Sequence, residues 1–427
     1  STPPLKVVWK SLERFKDYYS SVHRGTGYKS IISTRAYDRA HLRALKFVGA
    51  DPDFFTAIFV ENSTDGINKL ARRFQFEKDD IVLSSLMEHH SNDLPWRFVA
   101  RTEHIEVDDL GYLDLDDLKH KLDKFGKKIK MVAVSGASNV TGLIPPIKGI
   151  ARLAHDAGAK FMVDAAQLAP HRKIRMGKPG GWESIDYLVF SAHKMYAPFG
   201  TGVLIGPKET FKRGDPDSVG GGTVNYVSLS EAQWAHLPDK EEAGSPNVPG
   251  AVALSAAINF FESVGFSRVA SHEKELTKYA LKRLSGYDEI KLYGPDKWIP
   301  GNDRVGAISF NIDGIYHAMA AAILSYEGAI AVRNGCFCAH PYIQRLLKIT
   351  DREATASRDL IRRGIRSRVP GMIRISFGIY NTRQEIDRFF EIIDLMIGRK
   401  YKGKYIVDER TGEACPEDFR FSGDLDF

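Results

Sequence analysis

The segment Tyr187-Leu-Val-Phe-Ser-Ala-His-Lys194 is the most informative about the fold. It is an apolar run that is followed directly by a serine, a histidine and a lysine. Short continuous apolar runs are typical of strands that are buried on both faces of a parallel sheet. Two similar runs flank this one, Lys160-Phe-Met-Val-Asp164 before it and Gly202-Val-Leu-Ile-Gly206 after it. The serine, histidine and lysine therefore follow the end of a predicted buried strand.

Polar residues recur at the ends of such runs, and helical patterns lie between the runs. Met131-Val-Ala-Val-Ser135 is a further strand-like run, and residues 147–157 have the spacing of an amphipathic helix. Strands that alternate with helices indicate a largely parallel α/β sheet, which binds ligands outside the carboxyl ends of its strands. The polar residues at these ends, which we expect to converge on one site, are Ser138, Asn139, Asp164, Gln167, Ser191, His193 and Lys194.

A second, smaller α+β unit is predicted after this sheet. Helical patterns cover residues 251–263, 271–284 and 317–326, and strand-like runs cover residues 306–311 and 372–377. The strands here are fewer and no longer alternate regularly with helices. This change of pattern indicates a separate unit.

The composition limits the class of protein. Of 427 residues 43% are hydrophobic, which is enough to bury sizeable cores and excludes a mainly disordered chain. The net charge of +6 is too small to indicate nucleic-acid or membrane binding. No run approaches the roughly 18 apolar residues of a membrane helix, and the amino terminus lacks the apolar core of a signal peptide. Three cysteines exclude a disulfide scaffold, so we expect a soluble cytoplasmic protein.

Lys194 and Asp164 suggest cofactor chemistry. A lysine just past a buried strand can lie in a low-dielectric cleft, which favours the neutral amine and Schiff-base formation. A carboxylate one strand away can pair with a pyridinium nitrogen. Each residue has a plainer interpretation, in which Lys194 reaches the surface and Asp164 caps a helix.

Two other motifs point to an anion site and to a proton-transfer group. In Asn62-Ser-Thr-Asp-Gly-Ile-Asn68, hydroxyls precede a predicted helix whose N-terminus can bind a phosphate. The alternative is an ordinary Ser or Thr N-cap with Asp65 in the first turn. His89 follows a strand-like run and can stack on an aromatic cofactor or move protons, although a lone histidine is often structural.

The segment from Ser191 to Gly202 resembles the cofactor-lysine motif of the class V aminotransferase family of pyridoxal-phosphate enzymes. Within the family, the chain is most similar to the cysteine desulfurases and selenocysteine lyases. Segments in the family's order run through nearly the whole chain. They are Val22-His-Arg-Gly25, Asn62–Asn68, Glu88-His-His90, Ser138-Asn-Val-Thr-Gly142, Val163-Asp-Ala-Ala-Gln167, Gly220-Gly-Gly-Thr223, Glu242-Ala-Gly-Ser-Pro-Asn247, Arg333-Asn-Gly-Cys-Phe-Cys-Ala-His-Pro341 and Arg374-Ile-Ser376.

The resemblance implies a fold and a cofactor. The fold would be α/β, that of a fold-type I pyridoxal-phosphate-dependent transferase, with a mostly parallel seven-stranded sheet in a large domain and a smaller α+β domain. We expect the large domain over residues 21–255 and the small domain over residues 256–400. Residues 1–20 would pack with the small domain, and residues 401–427 would form a C-terminal extension. The cofactor would be pyridoxal 5'-phosphate.

The resemblance also implies which side chains hold the cofactor. Lys194 would form the Schiff base, Asp164 would pair with the ring nitrogen, and His89 would stack on the ring. Gln167 and Asn139 would lie near the phenolic oxygen. The phosphate would be bound by hydroxyl and imidazole groups, those of Ser63, Thr64, Ser191 and His193.

Substrate and subunit contacts follow from the same resemblance. Arg374, with Asn139, would bind the substrate, because the planar guanidinium suits a carboxylate. Ser245 occupies the position of a family threonine that reaches the partner subunit's phosphate. The resemblance therefore implies a homodimer with shared active sites.

Cys338 falls where the desulfurase subgroup keeps its nucleophile. A Cys338 thiolate would take the sulfur of L-cysteine as a persulfide, leave L-alanine, and pass the sulfur to a protein acceptor. The alternatives are a small buried cysteine, or a metal ligand together with Cys336 and His340. We predict no metal, because no second ligand pair is visible. The chain can also be a class V lyase, epimerase or aminotransferase that acts on another amino acid without Cys338.

Two features depart from the desulfurase pattern. Cys336 stands where these enzymes usually have another residue, and Gly-Cys-Phe-Cys is more similar to the desulfurase-type half of molybdenum-cofactor sulfurases. The segment 342–371 is longer than the link expected before Arg374. We expect it to form a lid or a docking surface for the acceptor.

Overall fold

A seven-stranded sheet forms the core of the first of two structural units. The computed structural model describes residues 2–23 and 25–420, and the first unit comprises the chain up to residue 107, residues 113–138 and residues 144–270. Arg24 of the Val22–Gly25 motif, Ser1, and residues 421–427 of the predicted extension lie outside the described residues.

The strands of this sheet confirm the predicted α/β architecture. They are β1 (Phe55–Val60), β2 (Ile81–Ser85), β3 (Arg101–Ile105), β4 (Ile129–Ser135), β5 (Lys160–Asp164), β6 (Tyr187–Ser191) and β7 (Gly202–Pro207). Their spatial order is β1-β7-β6-β5-β4-β2-β3, and β7 is antiparallel to both neighbours whereas the other pairs are parallel. Every residue of β2, β6 and β7 is buried, which explains their apolar sequences without alternation.

Eight α-helices and a hairpin lie wholly within the described part of the first unit. The helices are α1 (Lys6–Phe15), α2 (Tyr28–Phe47), α3 (Ser63–Arg73), α4 (Leu94–Val99), α5 (Leu115–Phe125), α6 (Ile147–Asp156), α7 (Lys208–Lys212) and α8 (Val248–Val264). The hairpin consists of β8 (Val224–Val227) and β9 (Ala232–Trp234). Polar side chains begin several helices; Asp114, for example, accepts the backbone N–H groups of Asp116 and Asp117 at the start of α5.

The N-terminal segment differs from its predicted position, because α1 belongs to the first unit. Val8 and Phe15 form its buried face, and α1 packs on the apolar helix α8. The segment before α1 is tied to the turn after β6, where the Thr2 hydroxyl donates to the carbonyl of His193 at 2.9 Å. The apolar face of α1 therefore packs within the first unit.

The division between the units also differs from the predicted boundary after residue 255. Helix α8 lies wholly in the first unit because Val248 and Ala251 join the core formed with Tyr37 of α2. The boundary falls after Ala270, within α9 (Phe266–Leu284). Residues 108–112 and 139–143, which were expected in the large domain, belong to the second unit.

The second unit contains a four-stranded antiparallel sheet. Its strands are β10 (Ile290–Tyr293), β11 (Ala307–Ile312), β12 (Arg333–Gly335) and β13 (Met372–Ser376), in the order β10-β11-β13-β12. The helices that follow α9 are α10 (His317–Gly328), α11 (His340–Leu347), α12 (Asp351–Arg362) and α13 (Arg383–Ile397). Phe310, Ile323 and Phe390 belong to one core of this unit, which explains the apolar spacing of α10 and α13.

The described part of the predicted C-terminal extension forms a hairpin. Strands β14 (Tyr405–Val407) and β15 (Ala414–Pro416) pair and pack on α10. The Glu327 carboxylate at the end of α10 accepts the Gly403 N–H at 2.9 Å and the Tyr405 hydroxyl at 3.1 Å. Polar contacts as well as apolar ones therefore hold this segment to the second unit.

The long segment after Pro341 folds into α11 and α12. Lys348 adopts a left-handed conformation between them, and Thr350 and Glu353 form a capping box that begins α12. Helix α12, every residue of which is described, has no buried side chain.

Among the described residues, no single helix has both the length and the apolar character of a membrane span. The pair α8 and α9, which is bent by 81° at its junction, would satisfy these criteria by length and composition only.

Candidate functional site

Four neighbouring strands of the large sheet end in polar residues. The strands β6, β5, β4 and β2 are adjacent, and their last residues are Ser191, Asp164, Ser135 and Ser85. Ser135 is in register with Asp164, and all four residues are buried. Of these four residues, Asp164 and Ser191 belong to the set that was predicted to converge at this edge, and Ser135 and Ser85 add to it.

Asp164 and Lys194 lie at the ends of adjacent strands. Asp164 is 5% exposed, and its carboxylate accepts the Ala166 N–H at 2.9 Å. Burial raises its pKa, and the hydrogen bond and the positive charge of Lys194 oppose this rise. A buried carboxylate of this kind favours a second cation beside it, so a protonated pyridine nitrogen fits the position.

Hydroxyl groups gather at the N-terminus of α3. The Ser191 hydroxyl accepts the Ser63 N–H at 2.8 Å and donates to the Ser63 hydroxyl at 2.9 Å. The helix cap is Asn62, whose side chain accepts the Asp65 N–H at 3.0 Å. The alternative in which Ser63 or Thr64 caps the helix is thus wrong, and their hydroxyls face a helix N-terminus that suits an anion.

The strand β7 approaches this helix N-terminus closely at Gly202. A Cβ atom at position 202 would lie 2.5 Å from the carbonyl carbon of Asn62. Glycine therefore lets the start of β7 pass beside the hydroxyl cluster.

His89 is joined to the hydroxyl cluster through Ser91. Its Nδ1 accepts the Ser91 N–H at 3.1 Å and lies 2.9 Å from the Ser91 hydroxyl. That hydroxyl lies 2.6 Å from the Thr64 hydroxyl. The structure thus brings His89 and Thr64 together through a serine that sequence analysis did not single out.

Glu88, which was not predicted as a site residue, stabilises this region through hydrogen bonds of its buried carboxylate. It is 3% exposed, and its carboxylate accepts the Ser85 hydroxyl at 2.5 Å, the Ser135 hydroxyl at 2.6 Å and the Asn92 amide at 2.7 Å. These bonds join the ends of β2 and β4 to the turn that follows His89. Burial raises the pKa of Glu88 to about 7 against the opposing effect of these donors.

The remaining cofactor candidates of the first unit lie in the segments that surround this edge. His193 follows β6, and burial together with the charge of Lys194 lowers its pKa to about 4, so its imidazole is neutral at neutral pH. Gln167 is half-buried in the turn after β5. Ser245 is exposed and lines a cavity of about 630 Å³ together with Asn62.

The second unit holds the other predicted site residues around Arg374 of β13. One guanidinium nitrogen of Arg374 donates to the carbonyl of Asn139 at 2.6 Å, and the Asn139 amide donates to the carbonyl of Phe337 at 2.7 Å. The guanidinium also lies 5.1 Å from the centre of the Phe337 ring. A single hydrogen-bonded path therefore connects Arg374 to the residue before Cys338.

The Arg374 guanidinium has a hydrogen-bond donor that is not paired. Its buried Nε has no hydrogen-bond partner within the described ranges 2–23 and 25–420. Burial, and secondarily the charge of Arg333, lowers the pKa of Arg374 to about 10. An anion such as a carboxylate fits this group, because it would supply the missing acceptor.

Cys338 lies on a turn with an uncommon backbone. Phe337 and Cys338 have φ values of 47° and 56°, and the Ala339 N–H closes the turn by donating to the carbonyl of Cys336 at 2.8 Å. Left-handed conformations are unfavourable for residues other than glycine and persist where surrounding contacts hold them. Here Asn139 and the buried Phe337 ring provide those contacts, and the Cys338 side chain remains exposed.

The cysteines carry no metal centre in the part of the chain that the structure describes. Cys336, Cys338 and Cys415 are free thiols, and no group of three His, Cys, Asp or Glu residues is arranged to hold a metal ion there.

Comparisons with known proteins identify similar chains. The family model described as aminotransferase class-V matches residues 1–389. A probable cysteine desulfurase of Halalkalibacterium halodurans is 36% identical over 396 residues, which cover 91% of this chain and 88% of that protein. The cysteine desulfurase of Haloferax volcanii is 32% identical, with coverage of 92% and 87%.

A solved structure confirms the fold-type I fold. The apo cysteine desulfurase of Thermococcus onnurineus matches with a TM-score of 0.81 and 31% identity, and the match covers 93% of each chain.

We predict that Glu88→Gln changes how stability depends on pH. Because the pKa of Glu88 is raised in the folded chain, its contribution to stability is complete below the unfolded pKa of 4.5 and is lost as the pH rises through about 7. Relative to the uncharged variant, the wild type should lose about 3 kcal/mol of unfolding free energy across this range. Urea unfolding at a series of pH values measures the difference.

Glu77→Gln is the matched control, since Glu77 is exposed. An equal pH dependence in the wild type and in Glu88→Gln would show that Glu88 does not titrate in the folded chain as described.

Proposed function

Because the chain belongs to the class-V aminotransferase family, we propose that it is a pyridoxal-phosphate-dependent cysteine desulfurase. It converts L-cysteine to L-alanine and receives the sulfur on Cys338 as a persulfide. The observation that carries the proposal is the exposed Cys338 thiol on a turn that Asn139 binds, with Asn139 in turn bound by Arg374. The relatives named cysteine desulfurase, which match over most of their length, support it.

The cofactor fits the first unit. We assign Lys194 to its covalent attachment, Asp164 to its ring nitrogen and His89 to stacking and proton transfer. Gln167 is assigned to the phenolic oxygen. We assign four groups to its phosphate, and they lie at the start of α3 and at the end of β6 or just after it. They are the hydroxyls of Ser63, Thr64 and Ser191 and the neutral imidazole of His193. When bound, pyridoxal phosphate supplies an electron sink for the bonds around the α-carbon of the substrate.

Arg374 and Cys338 act on the substrate itself. Arg374 binds the carboxylate of L-cysteine, for which its unpaired Nε provides a donor. The Cys338 thiolate attacks the substrate sulfur, and an S–S bond forms as the Cβ–Sγ bond breaks. The electron pair of the broken bond stays with the carbon, which takes up a proton and gives alanine. Asn139 holds the turn from which Cys338 acts.

The assembly and surroundings of the enzyme belong to the same proposal. Ser245 is exposed on the loop after Glu242, where it would reach the phosphate of a partner subunit in a homodimer. Glu242 fixes this loop by accepting the His41 imidazole at 2.9 Å and the Phe59 N–H at 2.6 Å. Three free thiols suit the reducing cytoplasm, where a protein sulfur acceptor would take the persulfide.

Cys338→Ser tests the proposed nucleophile. Alanine formation from L-cysteine should fall by several orders of magnitude and the protein persulfide should disappear, because the hydroxyl does not replace a thiolate nucleophile. Cofactor absorbance should stay unchanged. Alanine quantification, persulfide labelling and absorbance spectra on the holoenzyme measure these outcomes.

Cys415→Ser on β15 is the control and should behave as the wild type. Undiminished turnover of L-cysteine by Cys338→Ser would contradict the nucleophile. Rapid turnover of another amino acid by both proteins, with L-cysteine a poor substrate, would instead support a class V lyase, epimerase or aminotransferase.

Arg374→Lys tests the carboxylate site. A single ammonium group cannot reproduce the fork that donates to both Asn139 and a carboxylate. The change should weaken transition-state binding by about 2 kcal/mol or more, roughly a 30-fold fall in kcat/KM for L-cysteine. Steady-state kinetics measure the fall, with Arg388→Lys on the exposed face of α13 as the control. Equal kcat/KM values in Arg374→Lys and the wild type would rule out this role.

A further inference from the structure

Cys336 and Cys338 belong to one turn but face different surroundings. We propose that Cys336 is a second sulfur-carrying residue, which takes the sulfur from the Cys338 persulfide and presents it in a groove between α11 and α12. This inference rests on the proposed function of Cys338. It assigns a separate role to a residue that the desulfurase reaction itself does not use.

The turn keeps the two sulfur-bearing residues close. Cys336 is its first residue, Cys338 its third, and the hydrogen bond from Ala339 to Cys336 closes it at 2.8 Å. Because Cys338 is only two residues after Cys336, their Cα atoms are at most about 7 Å apart, and Cβ-linked sulfur atoms can meet over such distances.

The groove opens on Cys336. It has a volume of about 590 Å³, and its walls come from α11, α12 and the segment before β13. The lining residues that matter here are Cys336, His340, Ile343, Arg358, Ile361 and Pro370. Cys338, which the structure describes as exposed, is not one of the lining residues. Sulfur on Cys336 would therefore enter a space that sulfur on Cys338 does not occupy.

The Cys336 thiol is held at the edge of this groove. It is half-buried, and its Sγ donates to the carbonyl of Pro370 at 3.3 Å. Burial, and secondarily the neighbouring Cys338, raises the pKa of Cys336 to about 11. At neutral pH Cys336 is thus a protonated thiol, which must give up its proton as it takes the sulfur.

The transfer balances without an added oxidant or reductant. The Cys336 sulfur attacks the outer sulfur of the Cys338 persulfide, and one S–S bond forms as the other breaks. The proton of the Cys336 thiol passes to the Cys338 sulfur, which is restored for another turnover. Cations at the groove, Arg358 and Arg362, favour the anionic form of the new persulfide.

Locating the sulfur by mass spectrometry tests the relay. Holoenzyme is given less than one equivalent of isotopically labelled L-cysteine, alkylated to trap persulfides, digested, and fragmented between Cys336 and Cys338. In the wild type the larger share of the label should lie on Cys336. In Cys336→Ser, which keeps the donor to Pro370, it should lie wholly on Cys338, and in Cys338→Ser neither residue should carry it.

The other outcomes are distinct. Label confined to Cys338 in the wild type, or a disulfide between the two cysteines with release of sulfide, would overturn the relay while the desulfurase function stands. Label on Cys336 in Cys338→Ser would also overturn it, because the relay requires Cys338 first. Absence of alanine and label in the wild type would mean that the proposed function itself fails. Cys415→Ser should match the wild type.

Discussion

The central strands of the large sheet are buried on both faces, and this constraint determines where polar side chains are favourable. A polar side chain inside such a strand would lose its hydrogen bonds to water unless the protein replaced them, and the interiors of β5, β6 and β7 are apolar. Polar groups gather where the central strands end, and four adjacent strands end in Ser191, Asp164, Ser135 and Ser85. The candidate site lies at this edge because the rest of the sheet excludes it.

Two buried carboxylates at this edge are stabilised in different ways. Glu88 receives three side-chain donors, from Ser85, Ser135 and Asn92, so the chain itself satisfies it. Asp164 receives the Ala166 amide and the nearby charge of Lys194. The first arrangement fixes the turn that carries the candidate stacking histidine, whereas the second leaves capacity for a cationic ring. Glu88 and Asp164 are thus both buried carboxylates, but we assign a positioning role to Glu88 and a cofactor-binding role to Asp164.

The sequence was sufficient for the sheet and for the edge where polar residues meet, because burial on both faces leaves a direct pattern in the residues. It was insufficient for α1, since amphipathic spacing shows which face is apolar but not which surface covers it. The cap of α3 was ambiguous because Asn62, Ser63 and Thr64 can all cap a helix. Nothing in the sequence predicted the left-handed backbone at Cys338, because tertiary contacts impose this conformation on a residue that disfavours it. The roles of the individual site residues remain predictions.

Helix α12 has no buried side chain, although it forms one wall of the groove beside Cys336. Exposed substitutions away from caps and cores usually change stability by about 0.5 kcal/mol or less. The outer surface of this helix is therefore free to diverge between related chains without cost to the core or to the turn that bears the cysteines. The wall of the groove can therefore change its chemistry while the turn that bears the cysteines keeps its structure.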